Sequence, residues 1–130
     1  MNNIITPSLP TAANFLDTLE PQGKFTFQTF DDDQSRSNKN LVRVLHGTLN
    51  KHATILTTLN QKGAGIFVTV NQTNLKGRKA TDIVKVRAVF LDLDGSPLEP
   101  VLDHTLEPHI FVYIDVSICL ASSILSLNCG

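Results

Sequence analysis

Asp92 and Asp94 stand one residue apart at the end of the run Arg87-Ala88-Val89-Phe90-Leu91-Asp92-Leu93-Asp94-Gly95. Successive side chains of an extended strand alternate faces, so this spacing predicts both carboxylates on one face. Two acids side by side repel each other and resist burial unless a cation lies between them. Mg²⁺ or Mn²⁺ suits such a pair, because hard cations prefer carboxylate oxygens and keep positions open for phosphates. A solvated strand end with acids in its turn reads the same way in isolation. The apolar run before the pair and the basic stretch upstream of it favour the cation.

The elements that must position this pair follow from periodicity. Apolar spacing predicts a short helix over Thr11 to Glu20, with Phe15, Leu16 and Leu19 on one face and Pro21-Gln22-Gly23 ending it. Lys24 to Phe30 alternates cleanly and reads as a strand with Phe25 and Phe27 on one face. The polar stretch Asp31 to Asn40 reads as a loop. Its three aspartates, Asp31, Asp32 and Asp33, are a second place where a cation would find carboxylates, although an acidic turn in water explains them as well. Leu41 to His46 is a strand, Gly47 breaks it, and a helix follows from about Asn50 to Gln61 with Ile55, Leu56 and Leu59 at helical spacing. Lys62-Gly63-Ala64-Gly65 supplies the stop. A third strand spans Ile66 to Asn71, and the acid-bearing strand runs from about Val84 to Leu93. Leu98 to Leu106 reads as a short helix, and His109 to Tyr113 as a further strand. Interleaved strands and helices place the chain in the α+β or α/β class; the expectation is α+β, one mixed or antiparallel sheet with flanking helices.

Composition bounds the rest. At 130 residues and 42% hydrophobic content the chain forms one modest domain, and a net charge of −1 gives no global polyanion-binding footprint. The first residues, Met1 to Pro7, lack the basic start and apolar core of a signal peptide, and Cys119 and Cys129 have no metal-ligand spacing, so the expected compartment is cytoplasmic. The histidines His46, His52, His104 and His109 share no ligand spacing either. Residues 116–130 contain no Asp, Glu, Lys, Arg or His. Ile110 to Leu127 is barely long enough for a membrane helix and Asp115 interrupts it, so no membrane partner is expected. The expected organisation is a lead and short helix over 1–23, an α+β domain over 24–115, and an uncharged tail over 116–130.

Taken in order, several segments resemble one family's run of motifs. They are Arg43 to Leu49, Gly63-Ala64-Gly65-Ile66-Phe67-Val68-Thr69-Val70-Asn71, Gly77-Arg78-Lys79, Val86 to Gly95, and Leu106-Glu107-Pro108-His109-Ile110. The chain is similar over roughly Phe25 to Ile110 to the RepB-like primase domain of plasmids and phages, a branch of the archaeo-eukaryotic primase-polymerases. The resemblance implies template-directed primer synthesis from nucleoside triphosphates on single-stranded DNA, with a replicative helicase module as a further partner. It assigns Asp92 and Asp94 to the catalytic metal-binding pair, for Mg²⁺ or Mn²⁺. Lys76, Arg78 and Lys79 become candidates for nucleotide or template phosphate contact, against the plain alternative of a solvated loop. Lys85 and Arg87 alternate with the acidic face and are poorer candidates.

The chain also departs from that family. Such primases carry a Ser-x-His-type motif and a third carboxylate beyond the acidic strand. Here no histidine follows His109 and no acid follows Asp115. The expectation is therefore an incomplete primase-polymerase catalytic core, truncated or frameshifted near its C-terminus, with little or no activity. A third metal ligand would have to come from Asp31, Asp32, Asp33, Asp103 or Asp115. Two other readings stay open. Phe90 to Ser96 also looks like the first motif of haloacid-dehalogenase-type phosphatases, with Asp92 as nucleophile and Asp94 as general acid/base. The other is a non-catalytic nucleic-acid-binding module.

Overall fold

A computed structural model describes residues 9–89, 96–105 and 126–127. The chain divides into one unit of residues 1–88 with 120–130 and a second of residues 89–119. In the first, helix α1 spans Leu9–Leu19 and strand β1 spans Phe25–Asp31. Strand β2 is Arg43–Gly47, helix α2 is Leu49–Gln61, and strand β3 is Ala64–Val68. Short strands β4 (Gln72–Thr73) and β5 (Ile83–Lys85) follow. In the second unit, helix α3 is a single turn, Glu99–Leu102. Strand β6, Ser126–Leu127, belongs to the first unit again.

The α+β class is as expected, but among the described residues the strands make two sheets rather than one: a mixed sheet in the order β2-β1-β3-β6, and the separate pair β4-β5. Strand β1 pairs antiparallel with both β2 and β3, in registers that set Phe25 opposite Gly47 and Phe27 opposite Val68. The tail contributes a short parallel pairing, Ser126 and Leu127 against Phe67 and Val68.

Helices α1 and α2 lie on one face of the larger sheet because their buried apolar side chains pack there. Leu16 of α1, Leu56 of α2, Phe25 and Phe27 of β1, and Ile66 and Val68 of β3 form the buried cluster, with Phe15, Leu19, Leu45 and Leu49 packed around it. Leu41, Leu59 and Ala64 make a smaller one. Ile55, expected beside Leu56 and Leu59, sits at the exposed margin of α2. Helix α1 begins two residues earlier than expected, and Pro10 is tolerated there because the first helical amides have no intrahelical acceptor. Thr48 caps α2, its hydroxyl accepting from Lys51 N at 3.2 Å. Gly63 ends it at φ +94°, where any Cβ would press on the Arg36 guanidinium. The start of the expected second strand is instead a 3₁₀ turn, Lys39–Leu41, which buries Leu41.

The largest correction concerns the acid-bearing strand. It was expected to run from Val84 to Leu93, yet the strand ends at Lys85 and residues 86–89 join no sheet. The cause is local. Asn71 Oδ1 accepts from the backbone amides of Arg87 at 2.9 Å and Ala88 at 3.4 Å, taking donors that a ladder would need. The Arg87 side chain is 2% exposed and ion-paired with Glu20. Its Nε donates to Glu20 Oε2 at 2.6 Å and its Nη2 to Lys24 O at 2.6 Å, while the guanidinium lies 4.3 Å over the Phe25 ring. One side chain thus ties the end of α1, the start of β1 and the segment after β3. Residues 90–95 and 106–125 lie outside the described residues, and with them Asp92, Asp94 and the expected strand at His109 to Tyr113. Among the described residues no helix is long and apolar enough to cross a membrane.

Arg87→Ala is expected to destabilise the fold by about 2–4 kcal/mol, because it strands the Glu20 carboxylate and the Lys24 and Val70 carbonyls, all of which the guanidinium partners. Glu20→Gln, at a side chain 32% exposed, should cost only about 1 kcal/mol. Urea unfolding followed by circular dichroism checks the order. Equal effects would contradict it.

Candidate functional site

Strand β1 alternates, so what faces away from α1 and α2 is Thr26, Gln28 and Phe30. Register places His46 and Val44 of β2 beside Thr26 and Gln28, and Phe67 and Gly65 of β3 beside Gln28 and Phe30. This far face mixes polar and aromatic side chains where the near face carries the apolar core. Phe30 and Phe67 meet edge to face with ring centroids 5.5 Å apart. The absence of a side chain at Gly65 makes room for this, since a Cβ there would lie 3.2 Å from the Phe67 ring and 3.4 Å from Asp32 Oδ1.

The β4-β5 pair is fastened to the same face. Thr26 Oγ1 and Thr73 Oγ1 share a hydrogen bond of 2.7 Å, and Thr26 Oγ1 also meets His46 Nδ1 at 2.9 Å. The loop between β4 and β5 is organised by two side chains. Asn74 Oδ1 accepts from Lys76 N at 2.9 Å and Asp82 Oδ2 from Lys79 N at 2.9 Å, while Asn74 Nδ2 donates to Asp82 Oδ1 at 3.2 Å. Any Cβ on Gly77 would overlap the Asp82 carboxylate, so the tight turn requires glycine there. Lys76, Arg78 and Lys79 are all exposed on this loop. Arg78 lies 5.9 Å over the Phe30 ring, which carries the loop's positive charge onto the aromatic part of the face.

The predicted site residues divide accordingly. Lys76, Arg78 and Lys79 share one ordered loop beside the far face. Lys85 is exposed on β5, and Arg87 is occupied in the clamp described above. Asp92 and Asp94 lie outside the described residues, as does Asp115. Asp103 caps α3 in the second unit. Two of the three aspartates at the end of β1 are already engaged: Arg36 donates to both Asp31 oxygens, at 2.6 and 2.8 Å, and Asp33 Oδ1 accepts from Ser35 N and Oγ. Among the described residues no group of three or more His, Cys, Asp or Glu is arranged to hold a metal ion.

Sequence reasoning missed Gln28. It is 7% exposed, and its Oε1 is buried with no hydrogen-bond partner among the described residues. An unpaired buried acceptor costs about 1–3 kcal/mol. The other buried polar side chains of β1 are paired, Thr26 as above and Thr29 Oγ1 to Leu41 O at 2.6 Å. A polar residue alternating with phenylalanines reads as solvent-facing, and only register shows that it lies between Val44 and Phe67.

The Arg36 guanidinium, with the amides of Asn38 and Asp33, holds the Asp31 carboxyl well below the usual carboxylate range. A carboxyl lowered by folding adds stability above its unfolded pKa of about 3.9, and that stability is lost as pH falls toward the folded value. Asp31→Asn should therefore unfold at lower urea than the parent near neutral pH, with the gap narrowing below about pH 4. A gap independent of pH would contradict this.

Comparison with protein-family models, with curated proteins and with solved structures finds no match to this chain.

Proposed function

We propose that this chain is part of a RepB-like primase-polymerase core, and that its far sheet face and basic loop bind single-stranded DNA. The observation that carries the reading is the Arg78–Phe30 contact, since it brings a loop of three cations against a sheet face bearing two aromatic rings. Cations track the phosphates of a single strand while ring faces accept its bases, the combination that sequence-tolerant single-strand binding requires. In this reading Asp92 and Asp94 are the carboxylates for Mg²⁺ or Mn²⁺, and the metal, when bound, lowers the pKa of an attacking hydroxyl and neutralises the triphosphate.

Residues 116–130 offer no acid, base or imidazole to complete such a centre. Primer synthesis by this chain is accordingly weak or nil. A second reading, a non-catalytic nucleic-acid-binding module, draws on the same face and loop, neither of which needs the acidic pair. The phosphatase alternative is the weaker one: its motif normally follows the first strand of a domain, and here, among the described residues, five strands precede Asp92.

Anisotropy of a labelled single-stranded oligonucleotide tests the binding claim. Affinity should fall steeply between about 50 and 200 mM salt. Replacing Lys76, Arg78 and Lys79 together by alanine should reduce the slope of log K against log salt by about 2, at roughly 0.7 per lost phosphate contact. An unchanged slope would overturn the assignment of the loop. Separately, Mn²⁺ should bind weakly and the Asp92→Asn, Asp94→Asn double variant should abolish it; binding that survives in the double variant would move the cation elsewhere.

A further inference from the structure

We propose that Gln28 is the floor of a subsite on the far sheet face that takes a nucleobase. The inference rests on the nucleic-acid reading above and names the contact that reads the base. Gln28 occupies the middle of β1, a strand with neighbours on both sides, and its Oε1 lacks the donor that a buried carbonyl requires. The fold does not need an amide there. A methionine of similar volume would fill the same space without the unpaired oxygen, so the glutamine answers a partner from outside.

Its neighbours say what kind of partner. Phe67 faces it across β3 and Val44 across β2, and Phe30 follows two residues along β1 on the same face. Phe30 and Phe67 are half-buried and Val44 is 44% exposed, so the deep amide is walled by side chains that still reach the surface. A nucleobase presents a π-face to such rings and a ring N–H or exocyclic amine to such an acceptor. The carboxamide turns about its last torsion, so it offers an acceptor or a donor as the base requires. Arg78, seated over Phe30, is placed to pair with the phosphate of the same nucleotide. The base belongs either to a template strand or to a free nucleoside triphosphate, and the chemistry at Gln28 is shared by both.

The test compares an oligonucleotide with the same strand carrying abasic sites, on the full chain and on its Gln28→Met variant. The parent chain should bind the intact strand at least about 5-fold more tightly than the abasic one, the scale of one stacked base. Gln28→Met should weaken the intact strand by about 3- to 10-fold and leave the abasic strand unchanged, as expected for one lost hydrogen bond. Its urea midpoint should match or exceed the parent's, which separates lost recognition from lost folding. Competition by unlabelled nucleoside triphosphates identifies the source: displacement that Gln28→Met weakens assigns the subsite to the free nucleotide, and displacement absent from both chains assigns it to the strand. Equal binding of intact and abasic strands, with Gln28→Met silent, would overturn the subsite and leave an enclosed water as the partner of Gln28. In that event, continued weakening by Lys79→Ala would show that the DNA-binding reading stands without the subsite. Failure of every strand to bind would remove both.

Discussion

Strand β1 must satisfy two opposed environments at once. Its odd positions, Phe25 and Phe27, complete an aliphatic core with Leu16, Leu56, Ile66 and Val68. Its even positions, Thr26 and Gln28, are also buried, so the strand has no solvent face along its first five residues. Hydrophobic burial on one side fixes the register, because a slip of one residue would exchange the phenylalanines for a threonine and an amide. That register in turn decides which side chains share the far face. The position of Phe30 beside Phe67, and of Gln28 between Phe67 and Val44, is a consequence of packing on the other side of the sheet.

Two side chains outside the strands keep this arrangement closed. Asn71 takes the amides of Arg87 and Ala88, which stops β5 from extending into a longer ladder. Arg87 lies buried against the Phe25 ring and paired with Glu20. The β4-β5 pair is then free to lie along the far face through Thr73, bringing the basic loop with it. Rigidity near the loop comes from Asn74, Asp82 and Gly77, none of which is basic. The positive charge is displayed on a frame built by uncharged and acidic groups.

Much of the fold was legible because its driving force is periodic. The spacing of Phe15, Leu16 and Leu19, and of Leu56 and Leu59, locates α1 and α2 to within two residues, and alternation locates β1. The run from Val84 to Leu93 misled for a physical reason. Strand propensity describes how side chains suit a pleat, whereas the strand ended because Asn71, just before the paired strand β4, competes for the amides that follow it. Arg87 read as a residue on the strand face opposite the acidic pair, and its burial depends on Glu20 and Phe25, far away in sequence. Lys76, Arg78 and Lys79 could be named as a cluster from spacing alone. Their attachment to an aromatic face could not, because the Arg78–Phe30 contact spans nearly fifty residues. Asp92 and Asp94 remain an assignment from sequence.

The central claim is that the sheet face opposite α1 and α2 is the working surface of the first unit. Titrating the isotope-labelled chain with single-stranded DNA while following amide and side-chain resonances tests it most directly. The account predicts that the Gln28 carboxamide, the backbone amides of Phe30 and Phe67 and the amides of residues 76–79 shift together and saturate at one concentration. The outward amides of α1 and α2 should stay in place. Shifts confined to the helices, or none on β1 and β3 at saturating DNA, would contradict it.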